Sequence, residues 1–230
     1  MSAVLGAAAL LVLLPIAFNV AFAILASSFD YPDVLRRPTH EVLALFRAGG
    51  RRLILLWWGF ALTAVALVPL AVLVSAALPD SDATLRTLAT TIGVLAGAVQ
   101  FLGLVRWPFL VPYLASVSTD DASPERREAV DVVFQSFNRY LGVAVGEHLG
   151  YLFTGAWTAL VGALVVQSSA APSWLGVVGI VMGLLLAVCS LEFVGRGGDE
   201  EGWSVAAAIT PLVYVGWSVW LVAVGVALIL

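Results

Sequence analysis

Two ionisable residues stand side by side inside an apolar stretch: Glu147 and His148 in GVAVGEHLGYLFTGAWTALVGALVVQ, residues 142–167. A charge in hydrocarbon costs roughly 2.5–3.5 kcal/mol even on lenient insertion scales, so a carboxylate here is expected to face protein and to have a partner. Three other apolar stretches each hold a polar group: Arg106 in GLVRWPFLVPYLASV, Glu192 near the end of the run from Trp174, and Asn19 in the first run. On an α-helix Tyr151, Thr154 and Thr158 fall at i+4, i+7 and i+11 from Glu147, which puts all four on one face, with His148 about a quarter-turn away. The expected polar cluster is therefore Glu147, His148, Arg106, Tyr151, Thr154, Glu192 and Asn19, with Glu147 pairing first with Arg106.

Such a cluster could fix helix packing and register. It could instead bind a small polar molecule, or pass protons along Glu147, His148 and Glu192, because ionisable groups inside membranes mark functional sites by default. An intramembrane enzyme using Glu147 or His148 as general base would need a nucleophile or a metal, and neither a GxSxG nor an HExxH pattern is present. Cys189, His40 and His148 are the only cysteine and histidines, too few for a zinc set or an internal disulfide, and Cys189 reads as a small buried hydrophobe. Haem held between His40 and His148 would have to join a surface helix to a span. No catalytic residue, metal ligand or cofactor is assigned. The functional expectation is a small-molecule binding or transport-like membrane module; the rival is a structural or regulatory protein that meets partners at its Arg-rich loops.

The elements that must position these residues are helices in lipid. The chain has 230 residues, 61% hydrophobic and 11% charged, where soluble domains run near 45–50% and about 25%. The lipid bilayer is its first partner, and no basic stripe interleaved with aromatics suggests nucleic acid. We expect an all-α polytopic membrane protein, one bundle of six transmembrane helices at residues 3–27, 53–78, 88–117, 142–167, 174–194 and 203–230. The first run lacks a basic flank and is longer than a signal-peptide core, so it reads as a retained span. Pro15 is expected to kink it, and Pro69 to break the second span. Pro108 and Pro112 predict a kinked or partly unwound end to span three, which membranes tolerate only beside protein or a water-filled cavity.

Two amphipathic surface helices complete the expectation. One starts at a Thr39 cap, turns Val42, Leu45 and Phe46 to one side and ends at Gly49-Gly50. The five arginines around that side predict a helix lying along the membrane surface. The other starts with Ser123 as N-cap and Pro124 at N1, and carries Val130, Val133, Phe134, Phe137 and Leu141 at helical spacing. All eleven basic residues are Arg, suggesting a GC-rich prokaryotic genome. Nine of them lie in the loops at 28–52, 118–141 and 195–202. By the positive-inside rule that side is cytoplasmic, placing the protein in the inner membrane with both termini extracytoplasmic.

Span four carries Gly142, Gly146, Gly150, Thr154, Thr158 and Gly162 at intervals of four, a small-residue ridge on which two helix backbones can approach closely, within the chain or in a homo-oligomer. The runs FNRYLGVAVGEHLGYLFTGAWTALVGALV, PSWLGVVGIVMGLLLAV and YVGWSVWLVAVGVALI resemble the bacterial integral membrane proteins of domain-of-unknown-function family 4386, mainly over residues 134–230. That resemblance implies six to seven membrane helices and brings no activity, substrate or catalytic residue with it.

Overall fold

The computed structural model describes residues 2–119, 121–195 and 202–230; the acidic loop from Arg196 to Glu201 lies outside the described residues. Among these residues the chain is helical throughout, with no strand: α1 (Ser2–Phe29), α2 (Thr39–Ala77), α3 (Ala83–Leu104), α4 (Arg106–Val117), α5 (Pro124–Phe137), a π-helical segment (Asn138–Leu149), α6 (Gly150–Gln167), α7 (Ser173–Cys189) and α8 (Ser204–Ala227). Six helical stretches are long and apolar enough to cross a membrane: 3–29, 39–77, 83–117, 124–167, 173–193 and 204–227. The protein is thus a multi-pass helical bundle. Two stretches run past their expected starts because each surface helix continues into the span after it.

Glycine decides how the first of these joins is made. Gly50 takes φ +53° and ψ −147°, so α2 bends there between its surface portion and its span; only a residue without Cβ adopts that conformation cheaply. Two expectations about this surface helix are corrected. Thr39 is the first helical residue rather than the cap, and its hydroxyl accepts from the Gln135 side chain at 3.0 Å. The apolar side does not simply rest on a membrane surface, because Val42, Leu43 and Phe46 are buried in a protein core with Phe29, Trp107 and Phe134. Leu45, expected on the same side, is exposed.

Ser123 and Pro124 do start α5, with the Ser123 hydroxyl accepting from Arg126 N–H at 3.3 Å. The expected unwinding at Pro108 and Pro112 is absent. The break is the single residue Val105, and Pro108 falls in the first turn of α4, where a missing N–H leaves no helical bond unmade. Pro15 and Pro69 likewise sit inside continuous helices.

Span four packs on span three and α7 and reaches α8. A Cβ on Gly146 would lie 2.7 Å from Gly103 Cα, and one on Gly150 would lie 2.9 Å from Gln100 Cγ, so the glycine ridge meets span three within the chain. The ridge also winds. Each step of four residues on an α-helix overshoots a full turn by about 40°, so Thr158 reaches Trp217 of α8 and Gly162 reaches Gly176 and Gly179 of α7. In the π segment a turn takes more than four residues, which reverses the drift and keeps Gly142, Gly146 and Gly150 all on span three. α6 forms a tight hairpin with α7 along the face that carries Gly155 and Gly162: a Cβ on Gly155 would stand 2.5 Å from the Gly183 carbonyl, and one on Gly176 would stand 2.5 Å from the Gly162 carbonyl.

Candidate functional site

The polar residues of span four lie where its helix is widest. The twelve-residue π segment Asn138–Leu149 holds both Glu147 and His148. π-helical turns are rare and recur at functional sites. Glu147, His148 and Tyr151 are each partly exposed, unlike the apolar core around Trp157 and Val161 one to three turns deeper.

Arg106 is the most buried charge of the bundle among the described residues, at 7% exposure. It is the first residue of α4, and its guanidinium folds back on its own chain and across to span four. Nη1 donates to the Gly103 carbonyl, and Nη2 donates to Asn138 Oδ1 at 3.0 Å. Its Cζ lies 5.4 Å from the Trp107 ring centroid, within cation–π range. Gly142 leaves the space it occupies, since a Cβ there would meet Nη2 at 2.5 Å. Arg106 and Glu147 interact electrostatically, and Tyr31 interacts with both.

Tyr31 comes from the loop after span one, where sequence periodicity says nothing. Asp30 takes φ +57°, a left-handed conformation that Asp tolerates, and the chain reverses so that Tyr31 packs against Trp57 at 5.0 Å and Phe22 at 5.7 Å. Burial first, and the Glu147 carboxylate second, raise the Tyr31 phenol above its ordinary range, with Arg106 opposing. Tyr214 of α8 completes the group, its ring centroid 4.9 Å from that of Tyr151. Glu147 interacts electrostatically with Tyr31, Tyr151 and Tyr214, and Glu192 with the last two. All three tyrosines are partly exposed.

The remaining expected residues are distributed around this group. His148 Nδ1 lies 2.9 Å from the Ser190 carbonyl; a carbonyl only accepts, so Nδ1 carries the proton and Nε2 is the basic nitrogen. Glu192, in the 3-10 turn after α7, accepts from the Thr210 hydroxyl of α8. Thr154 turns to span three and accepts from Gln100 Nε2 at 2.8 Å, and Trp217 Nε1 donates to Thr158 at 2.9 Å. These two threonines belong to a separate polar link across the bundle. Asn19 is on the exposed side of α1, donating to the Pro15 carbonyl at 2.7 Å and to Ser218 at 3.0 Å. Cys189 is fully buried.

A family model matches residues 7–225. The chain belongs to DUF4386, a domain of unknown function. The likeness read from residues 134–230 therefore extends over spans one to three as well. No curated protein and no solved structure matches this DUF4386 chain. Sequence reasoning missed Tyr31, Tyr214 and Asn138 as site residues. Asn138 stands beside Arg139 at the entry to span four and had a legible signal, a polar amide at the start of a span; Tyr31 and Tyr214 had none, because aromatic residues near helix ends ordinarily read as interface anchors.

Proposed function

We propose that this DUF4386 protein is a small-molecule binding or transport-like membrane module. Its site is the group of Glu147, Tyr31, Tyr151 and Tyr214, with Arg106 as its positive wall. The observation that supports this reading is a group of three partly exposed tyrosines, Tyr31, Tyr151 and Tyr214, each interacting electrostatically with the partly exposed carboxylate of Glu147 inside an otherwise apolar bundle. Ionisable groups kept inside a membrane bundle mark functional sites by default. Their partial exposure lets a ligand or water reach them.

The rival, docking of partners at the Arg-rich loops, finds less support. Arg36 pairs with Asp33, Arg37 with Asp30, and Arg47 donates to the carbonyls of Ala115 and Ser118. In the proposed placement the arginine-rich end faces the cytoplasm of a prokaryotic cell, the site opens to that side, and both termini are outside.

Native mass spectrometry of the protein released from uncharged detergent tests this reading. The wild type should carry a small molecule that Glu147→Gln loses. A wild type that emerges bare from every extraction, with a Glu147→Gln protein equally bare and equally stable, would contradict it.

A further inference from the structure

Two surface helices leave a groove between them at the arginine-rich end of the bundle. His40 and Arg47 of α2 stand on one wall, and Arg127, Glu128 and Asp131 of α5 on the other. The groove holds about 570 Å³, within the range of roughly 300–1,000 Å³ in which proteins bind small molecules. Packing fixes its shape. Val42, Leu43 and Phe46 of α2 share one core with Val130 and Phe134 of α5. The floor is tied across as well: Gln135 Nε2 donates to Thr39 Oγ1 at 3.0 Å, and Arg47 Nη1 donates to the carbonyls of Ala115 and Ser118 at 3.0 and 2.8 Å. Thr39 and Ser118 are buried, and Arg47 and Gln135 half-buried, while His40, Arg127, Glu128 and Asp131 are exposed.

The direction in which the groove opens follows from the rest of α5. At about 100° per residue, Arg127, Glu128, Asp131 and Gln135 fall on one side of the buried Val130 and Phe134, and the exposed Val133 and Phe137 fall on the other. Leu45 stands in the same relation to the groove residues of α2. Exposed apolar side chains on a surface helix of a membrane protein lie toward lipid, so the groove opens toward water.

From this groove we infer a second binding site, sharing no residue with the group around Glu147, whose ligand is a small water-soluble zwitterion carrying an ammonium group and an acid group. Arg127 and Asp131 are four residues apart, so one face of α5 offers both signs side by side. A lone cation would be repelled by Arg47 and Arg127, and a lone anion by Glu128 and Asp131. An uncharged molecule would displace water from all four and leave them uncompensated. A zwitterion meets a partner for each end: its acid group accepts from the guanidinium of Arg127 and from the His40 ring, and its ammonium donates to the carboxylates of Glu128 and Asp131.

The test is thermal unfolding of the full chain in uncharged detergent, titrated with γ-aminobutyrate at constant ionic strength, with butylammonium and butyrate as its single-charge counterparts. A saturable upward shift is expected with γ-aminobutyrate, at a half-saturation about tenfold or more below that of either counterpart. Arg127→Gln and Asp131→Asn should each raise half-saturation about tenfold, and because both side chains are exposed the unliganded variants should melt close to the wild type. Arg126→Gln, at the neighbouring exposed arginine outside the groove, should bind as the wild type does, which separates the site from a general effect of charge. Absence of a saturable shift, equal shifts from the counterparts, or unchanged binding in Arg127→Gln and Asp131→Asn would each overturn the inference. Repeating the titration in nanodiscs with and without phosphatidylethanolamine tests the source. A shift kept in both supports a water-soluble ligand; one abolished by that lipid would assign the groove to a headgroup and overturn the aqueous ligand. A shift that Glu147→Gln abolishes and Arg127→Gln spares would place binding at the Glu147 group, overturning this site while leaving the other reading intact.

Discussion

Gly103 and Gly146 touch backbone to backbone: a Cβ built on Gly103 would lie 2.5 Å from Gly146 Cα, and one on Gly146 would lie 2.7 Å from Gly103 Cα. This contact brings span four against span three just where the π segment carries Glu147 and where Arg106 begins α4. Neither neighbour atom is the end of a flexible side chain, so nothing there can yield except the helices.

Gly146→Ala and Gly103→Ala are each expected to destabilise the bundle by about 1–3 kcal/mol, the range for overpacking. The double variant should cost less than the sum, because one separation of the helices relieves both clashes. Gly59→Ala, where a new Cβ meets nothing within 4 Å, serves as the control and should melt close to the wild type. Melting in detergent decides it; a Gly146→Ala protein that melts with the control would show that spans three and four do not hold this approach.

Arg106 is anchored by more than charge. Arg106→Gln leaves the Gly103 carbonyl and Asn138 Oδ1 short of their donors as well as altering the field at Glu147. A loss of about 3–5 kcal/mol is expected, as when one member of a buried pair is removed. Glu147→Gln should cost less, because Glu147 is partly exposed and can be solvated. In the double variant part of the loss should return, a coupling of about 1 kcal/mol or more by double-mutant cycle. Strictly additive losses would show that the electrostatic contact between the two adds nothing to stability.

Much of this fold was legible because membrane helices announce themselves by length and apolarity. All six stretches, the bend at Gly50 and the Ser123-Pro124 start were in the residue order. The site was legible only in part. Arg106 and Tyr151 each interact electrostatically with Glu147, whereas Thr154 and Thr158 turn away, since the π segment changes the angular offset between Glu147 and the residues of α6. No α-helical wheel can anticipate that. Tyr31 arrives through a loop reversal, and Tyr214 from a span with no other ionisable residue, so only tertiary packing brings them in. The glycines of α7, Gly176, Gly179 and Gly183, were a readable small-residue face, and they meet α6 at Gly162, the last residue of the expected ridge, and at Gly155.

Tyr31 gives a pH signature. Its phenol ionises near 10.0 when unrestrained and higher in the folded protein. The unfolded chain therefore loses that proton first as pH rises. The contribution is fully present below about pH 10 and fades as pH climbs toward the folded value. Tyr31→Phe should lose less stability than the wild type as the pH is raised from about 7.5 to about 11. Parallel declines of the two proteins with alkali would refute the effect.

The central claim is that the group around Glu147 is open to water rather than sealed as packing. Cysteine labelling at Tyr151→Cys in a Cys189→Ala background tests it most directly, with a membrane-impermeant maleimide applied to membrane vesicles of both orientations. The account predicts labelling of the folded protein from the side that carries the arginine-rich loops. A cysteine at position 151 that reacts from neither side, yet reacts fully once the protein is denatured, would mean a dry cluster and would contradict the proposal of a binding site.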